Sequence, residues 1–210
     1  MNSSIKVSDV FQPSWKYMKS QFWILVGLCI GYVIINFTLS IFMLPLAGSV
    51  GGSLVSSLIS LLLTVVFSLG YIKNMFQTMD GDEPQFSSYL QSPRKIINAI
   101  FASILFGIAI SVGCILFIIP GIYLITRLQF YQMFILEEDA GCLDSLKKSW
   151  AMTTGKSNFL FLLLVTEVLI IIIGGCILGI GVFVAYPLCC MMTCYTYRLL
   201  TRPSISLDDK

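Results

Sequence analysis

The fold is decided by a run near the start of the chain, residues 22–44, which reads FWILVGLCIGYVIINFTLSIFML and contains no charged side chain. At 1.5 Å per residue, a helix of this length is about 35 Å long, enough for the roughly 30 Å hydrocarbon core of a bilayer. A secretion signal also places an apolar run after lysines, but its core has only about 7–15 residues. We therefore expect a retained membrane-spanning helix.

Charged side chains are scarce over the whole chain, at 11% of the 210 residues against about 25% in soluble domains. Five further apolar segments follow the first, at residues 53–76, 96–119, 120–136, 158–178 and 180–200. They leave no room for a soluble domain. The sequence predicts an all-α integral membrane bundle of six helices, arranged as three hairpins in a single domain over residues 1–210.

The bounds of the last three segments are less clear than those of the others. Residues 158–200 form one run that is too long for a single span and is therefore expected to be a hairpin. We place its turn near Gly179 and Gly181, with Gly174 and Gly175 as the competing position. The fourth segment is the weakest by hydropathy because it contains Arg127 and spans only about 25 Å as a helix.

The basic residues predict the orientation of the bundle. Every Lys and Arg except Arg127 lies before the first segment, between the second and third, between the fourth and fifth, after the sixth, or, for Lys73 and Arg198, in the last turn of the second or sixth segment. The other connections carry no charge of either sign. Because cytoplasmic loops collect Lys and Arg, we expect both termini to be cytoplasmic, in the cytoplasmic (inner) membrane of a bacterium. Without the fourth span, the basic residues that follow it would lie on the outer side of the membrane, so the distribution of charges supports six spans.

Residues 7–20 and 142–154 have apolar residues at helical spacing and charges on the other face, and are predicted to be interfacial helices on the cytoplasmic side. In the first, Pro13 suits a helix that begins there. Both segments lead into a span through a Ser-Trp pair and a lysine. The anchors expected at the headgroup level are Trp15, Trp150, Lys19 and Lys156. This similarity indicates either a repeated unit, with residues 84–93 as a third copy, or the common chemistry of amphipathic segments that approach a membrane.

Away from the ends of the predicted spans only two charges occur, Arg127 in the fourth and Glu167 in the fifth. A lone charge at the membrane centre costs ~2.5–3.5 kcal/mol on the insertion scale. We therefore expect a buried Arg127–Glu167 pair, flanked by Tyr123 and Tyr131 from the helical face of Arg127. The pair either fixes the packing of two hairpins or marks a substrate, anion or proton site. A single pair provides neither a proton relay nor the second carboxylate that acid–base catalysis would need, which favours the packing role.

The remaining candidates carry little chemistry. Histidine is absent, which removes the commonest general base and metal ligand, and no metal or cofactor is expected. Glu137 and Glu138 belong to a solvated helix end, with Asp139 as the N-cap of the next segment. Cys190 and Cys194 are expected to be packing residues, and Pro187 is expected to kink the sixth span. The net charge of +2 gives no indication of nucleic-acid binding.

From residue 119 onward the chain resembles a known group of proteins. The pattern consists of Ile119-Pro120-Gly121-Ile122-Tyr123-Leu124, Arg127, Glu137, Ser149-Trp150, Gly155-Lys156, Gly179 to Gly181, Pro187 and Tyr197-Arg198. It is similar to bacterial six-span proteins grouped with the membrane domain of glycerophosphoryl diester phosphodiesterases and with uncharacterised multi-pass families. The resemblance implies an inner-membrane location. Hydrolysis in the fused relatives belongs to a separate soluble domain, and we expect no such domain in this sequence.

These observations favour a membrane protein without catalytic activity of its own, namely a membrane-embedded accessory or a component that binds lipid or a small amphiphile. The alternative is a small transporter or channel that uses Arg127 and Glu167. The expected partners are membrane lipids and either a second copy of the chain or another membrane protein.

Overall fold

The computed structural model describes residues 6–46, 48–176 and 179–201, and every regular element in this part of the chain is a helix. Arg202 and Lys210, and residues 177 and 178 of the predicted fifth span, lie outside the described residues. The α-helices in chain order are α1 (Val7–Ser20), α2 (Phe22–Met43), α3 (Val50–Asp80), α4 (Pro93–Leu116), α5 (Ile118–Leu128), α6 (Tyr131–Glu138), α7 (Cys142–Thr153), α8 (Ser157–Cys176) and α9 (Val182–Thr201).

Four helices, α2, α3, α4 and α8, are long and apolar enough to cross a membrane. They fall on the first, second, third and fifth predicted segments. At 31 residues α3 is the longest, about 46 Å, and extends past its predicted segment at both ends. Large apolar side chains cover the outer faces of these helices, for example Phe42, Leu58 and Ile173, all more than half exposed.

The single helix predicted over residues 120–136 is divided in two. Extended backbone at Phe117 turns the chain from α4 into α5, and the two helices meet at Gly113 and Gly121, where a Cβ on either residue would lie 3.1 Å from neighbouring backbone atoms. Pro120 falls in the first turn of α5, where its missing N–H is not needed. The helix then ends at Leu128, and a turn at Gln129 and Phe130, called the bend below, leads into α6 at Tyr131.

The last two helices form the predicted hairpin. Gly174 and Gly175 lie inside α8, so the competing turn position is wrong, and the chain reverses between Cys176 and Val182. Gly179 there has a φ of +73°, a backbone conformation that glycine adopts without strain. α9 continues through Pro187 without interruption.

Most of the core is built around α9. Helices α1, α2, α3 and α8 pack on it, and its Met191, Met192 and Tyr197 are almost completely buried. A second, smaller core joins α3, α4 and α6, where Ala99 and Ala102 provide a flat surface on α4. Helix α9 therefore lies inside the larger core, with these four helices packed against it.

The first predicted interfacial segment is a helix over the expected residues, but two details of it differ. α1 begins at Val7 and runs through Pro13, so the expected start at Pro13 is wrong. Its backbone start is closed by Asp9, whose carboxylate accepts the N–H of Lys6 at 3.0 Å. Val10 and Met18, expected to face the membrane, are buried against the protein, whereas Trp15 is 38% exposed.

Candidate functional site

The bend between α5 and α6 is closed by hydroxyl groups from α7. In an unbroken helix, the Arg127 carbonyl would accept the N–H of Tyr131, and the N–H of Phe130 would donate one turn back. Instead, Ser149 Oγ donates to the Arg127 carbonyl at 2.9 Å and accepts the N–H of Phe130 at 3.3 Å. The Thr153 hydroxyl lies 3.3 Å from the same carbonyl but is closer, at 2.8 Å, to the Ser149 carbonyl within α7. Both hydroxyl residues are fully buried. Helix α7 therefore stabilises the bend, chiefly through Ser149.

The same bend positions the Arg127 side chain, which is only 3% exposed. Its Nη2 donates to Thr154 Oγ1 at 2.8 Å. The guanidinium carbon lies 4.4 Å from the ring centre of Trp150 and 5.7 Å from that of Tyr123. Its Nε is buried without a hydrogen-bond partner. The partners of this cation are thus a hydroxyl and two aromatic rings, all of them neutral.

The structure does not bring Arg127 and Glu167 together. In the described part of the chain no ion pair joins them. Glu167 is buried between α8 and α9, where Thr193 Oγ1 donates to its Oε1 at 2.8 Å. Glu167 lies ten residues into α8, about 15 Å along the helix from its start, whereas Arg127 reaches Thr154, just before that start. The predicted pair is wrong because the two residues lie at different levels of the bundle.

The two tyrosines expected beside Arg127 also separate. Tyr123 flanks the guanidinium as predicted. Tyr131 does not, because it follows the bend and points to α4, where its hydroxyl lies 2.9 Å from Ser103 Oγ. Gln132 Nε2 donates to the same hydroxyl at 3.1 Å. Tyr131 therefore joins α6 to α4.

The predicted anchors have related environments. Ser14 and Ser149 are fully buried, while the tryptophans that follow them are 38% and 40% exposed. In each case a cation lies over the indole ring: Lys19 Nζ is 5.9 Å from the centre of the Trp15 ring, and Arg127 covers Trp150. Lys156 stands immediately before α8, and its carbonyl accepts the N–H of Leu160 at 3.1 Å. The serine faces the protein and the tryptophan faces outward in both segments.

A second candidate site is an apolar groove of about 490 Å³ between α2, α3 and the residues that follow α3. Its floor is a stack of aromatic rings, with the Phe67 centroid 3.9 Å from that of Tyr32 and 5.7 Å from that of Tyr89. On α2, Gly27 and Gly31 leave the groove open, since a Cβ on either would meet nothing within 4 Å. None of its lining residues is charged.

The segment of residues 84–93 forms one end of this groove. It contains a single turn of 3-10 helix, Phe86–Tyr89, and not the interfacial helix that a third copy would need. Two polar contacts fold it back onto α3: the N–H of Gln85 donates to Asn74 Oδ1 at 3.0 Å, and Ser88 Oγ donates to Gln77 Oε1 at 2.8 Å. Phe86 remains 80% exposed beside the groove.

The acidic residues at the end of α6 are paired and not merely solvated. Lys148 Nζ donates to Glu138 at 2.6 Å, and this hydrogen bond raises the pKa of the Lys148 ammonium. Lys95 Nζ lies 3.2 Å from Asp139, which ends α6 with a φ of 51° and is not the N-cap of α7. Glu137 lies 3.7 Å from Arg198, a buried cation near the end of α9. No signal in the local sequence indicates these pairs, because their members come from different helices.

Fold and site together define an all-α protein with four helices able to cross a membrane, a buried arginine with neutral partners and an apolar groove. Residues 91–206, more than half of the chain, match the domain of unknown function DUF7847, and the chain belongs to this family. No curated protein and no solved structure matches it. The matched region contains Arg127, Trp150 and Glu167, whereas the groove lies before it. The resemblance to the phosphodiesterase membrane domain stays a prediction.

Proposed function

We propose that this chain is an integral protein of the bacterial cytoplasmic membrane that crosses it six times and has both termini in the cytoplasm. The exposed apolar faces of α2, α3, α4 and α8 support this, because contiguous apolar surface on this scale is unfavourable in water. The bent α5–α6 segment and α9 complete the six crossings. The pairing of Lys95, Lys148 and Arg198 with acids at the ends of helices is consistent with one polar face.

Its proposed role is to bind the acyl chain of a membrane amphiphile, and the observation that carries this is the groove between α2 and α3. The groove extends along α2 from Trp23 to Ile35, about 18 Å. An acyl chain is the occupant that fits best, because the lining is apolar, the groove continues into the exposed apolar surface of two candidate spans, and Trp23 and Phe86 stand at its entrance. The separation of Arg127 from Glu167 gives a transporter built on that pair no geometric support.

The groove is tested by filling it. Gly27→Leu and Gly31→Leu place side chains in open space, so the fold should be retained, whereas the same change at Gly107, also open, leaves the groove untouched. The protein is reconstituted with a phospholipid that carries a photoreactive group on its acyl chain, and the labelled peptides are mapped. We expect labelling of Tyr32 and Phe67 that unlabelled lipid displaces. The two groove variants should lower it several-fold, and Gly107→Leu should not. Equal, non-displaceable labelling of exposed Phe101 on α4 would contradict the proposal.

The topology is tested separately by thiol labelling in intact cells. Ser49→Cys before α3 and the native Cys142 at the start of α7 are each kept as the sole reactive thiol. An impermeant reagent should label position 49 from outside and reach Cys142 only after permeabilisation. Labelling of both from the same side would contradict six crossings, whatever the result with the lipid probe.

A further inference from the structure

Arg127 is a buried positive charge to which this chain supplies no negative partner. An arginine keeps its charge when buried, and such a charge is costly unless it is paired. Within residues 6–46, 48–176 and 179–201, no carboxylate forms an ion pair with Arg127. Thr154 accepts one hydrogen bond, and Nε is buried without a partner. The guanidinium therefore retains hydrogen-bonding capacity for an anion.

The surroundings of the guanidinium favour negative charge. Thr154 lies three residues before Ser157, where α8 begins, so at most about 10 Å of chain separates the Arg127 contact from the start of that helix. The first N–H groups of a helix carry partial positive charge and bind phosphate groups. Lys156 stands between the two and adds a second cation. The residue that binds Arg127, a lysine and the start of a helix thus follow one another within residues 154–157, and α5, which carries Arg127, packs against α8.

The site is close to the surface, beneath two aromatic rings. Tyr123 and Trp150 meet edge to face, with their centroids 5.9 Å apart, and are 44% and 40% exposed. Tryptophan and tyrosine side chains are typical of the headgroup level of a membrane, where phosphate groups are abundant.

We propose that Arg127, Thr154, Lys156 and the start of α8 bind an anionic phosphate group, supplied either by a phospholipid headgroup or by a free phosphate. The planar guanidinium fork suits two phosphate oxygens at once. This site is built from α5, α7 and α8 and is separate from the groove of α2 and α3. It does not depend on the acyl-chain proposal.

Trp150 provides a direct readout of this site. Trp15→Phe and Trp23→Phe leave it as the only tryptophan of the chain. The protein is placed in phosphatidylcholine nanodiscs, and two series are measured: increasing phosphatidylglycerol in the nanodisc, and increasing inorganic phosphate at constant ionic strength. We expect a saturable change in Trp150 emission in at least one series. The first identifies a lipid headgroup as the source and the second a free phosphate.

Variants distinguish binding at this site from a general attraction of anions to the positive charges of the protein. Arg127→Gln should abolish the saturable change. Arg127→Lys keeps the charge but loses the fork, and should weaken binding about tenfold or more while retaining the fold. Arg94→Gln removes an exposed charge elsewhere and should leave binding unchanged. No saturable change in either series would overturn the proposal, as would equal losses in Arg94→Gln and Arg127→Lys.

Discussion

Arg198 and Asp80, 118 positions apart in the sequence, form a two-pronged ion pair that joins the ends of α9 and α3, with Arg198 Nη2 donating to Asp80 Oδ2 at 2.8 Å. The guanidinium lies 4.8 Å from the ring centre of Phe76. Glu137 brings the end of α6 to the same cation. Arg198 thus joins the ends of three helices, at the opposite end of α9 from the turn between α8 and α9.

Loss of this pair should destabilise the bundle moderately. Asp80→Asn leaves the buried Arg198 with the weaker contact to Glu137. Because the Asp80 side chain is 53% exposed, solvent screening limits the loss to about 1–2 kcal/mol. Thermal unfolding of the detergent-solubilised protein should shift down by a few degrees. Asp82→Asn, which alters an exposed acid two residues away, serves as the control, and an equal shift in both variants would contradict the prediction.

The hydroxyl of Ser149 should be necessary for the bend between α5 and α6. Ser149→Ala removes the acceptor of the Phe130 N–H and the donor to the Arg127 carbonyl, and a buried donor without a partner costs about 1–3 kcal/mol. Amide hydrogen exchange should therefore accelerate at Phe130. Ser145 is equally buried on the same face but bonds only within α7, to the Cys142 carbonyl. Unchanged exchange in Ser149→Ala, or the same acceleration in Ser145→Ala, would show that α7 does not hold the bend.

This bend marks the limit of what the sequence could predict about the fold. The extents of α1, α2 and α7 followed from local apolar spacing, which is a property of neighbouring residues. Nothing between residues 120 and 136 requires a break at Gln129, because the groups that stabilise it, Ser149 and Thr153, come from a helix about twenty positions later. A feature made by distant hydrogen bonds leaves no periodic pattern.

Contacts between residues distant in the sequence also explain why the site was predicted only in part. Arg127 and Glu167 were recognisable because charges are rare in apolar segments, and Tyr123 followed from helical spacing. Their pairing was wrong because the depth comparison assumed a straight fourth span. The groove was not predicted at all, because glycines in apolar helices are equally typical of close helix packing, whereas the structure leaves Gly27 and Gly31 open.

If Arg127 and Glu167 are independent, their substitutions should act independently. We expect the losses of stability in Arg127→Ala and Glu167→Ala to add in the double variant to within about 0.5 kcal/mol. Each residue has its own partner, Thr154 in one case and Thr193 in the other. The measurement is a double-mutant cycle of thermal or denaturant unfolding. Restoration of accumulation in the double variant would demonstrate the direct pair that the structure does not show.

Tyr89 should control the shape of the groove. A Cβ on Gly70 would overlap the ring of Tyr89, so Gly70→Ala must displace that ring from its stack on Phe67. We expect weaker photolabelling of Phe67 by the acyl-chain probe. Gly107→Ala makes the same change in open space and should have no effect. Labelling of Phe67 at the original level in Gly70→Ala would mean that Tyr89 does not form the groove floor.

Two adjacent glycines of α8 should respond differently to the same substitution. A Cβ on Gly174 would lie 2.8 Å from the Gly181 carbonyl oxygen and 2.9 Å from Ala185 Cβ, whereas the nearest atom to a Cβ on Gly175 is 3.9 Å away, on Val182. Both positions are helical, so the gain in helix propensity from alanine is shared and cancels in the comparison. Gly174→Ala should separate α8 from α9 and destabilise the protein by about 1–3 kcal/mol relative to Gly175→Ala. Thermal unfolding of the two variants side by side measures this difference, and equal midpoints would contradict the close crossing of the two helices at Gly174 and Gly181.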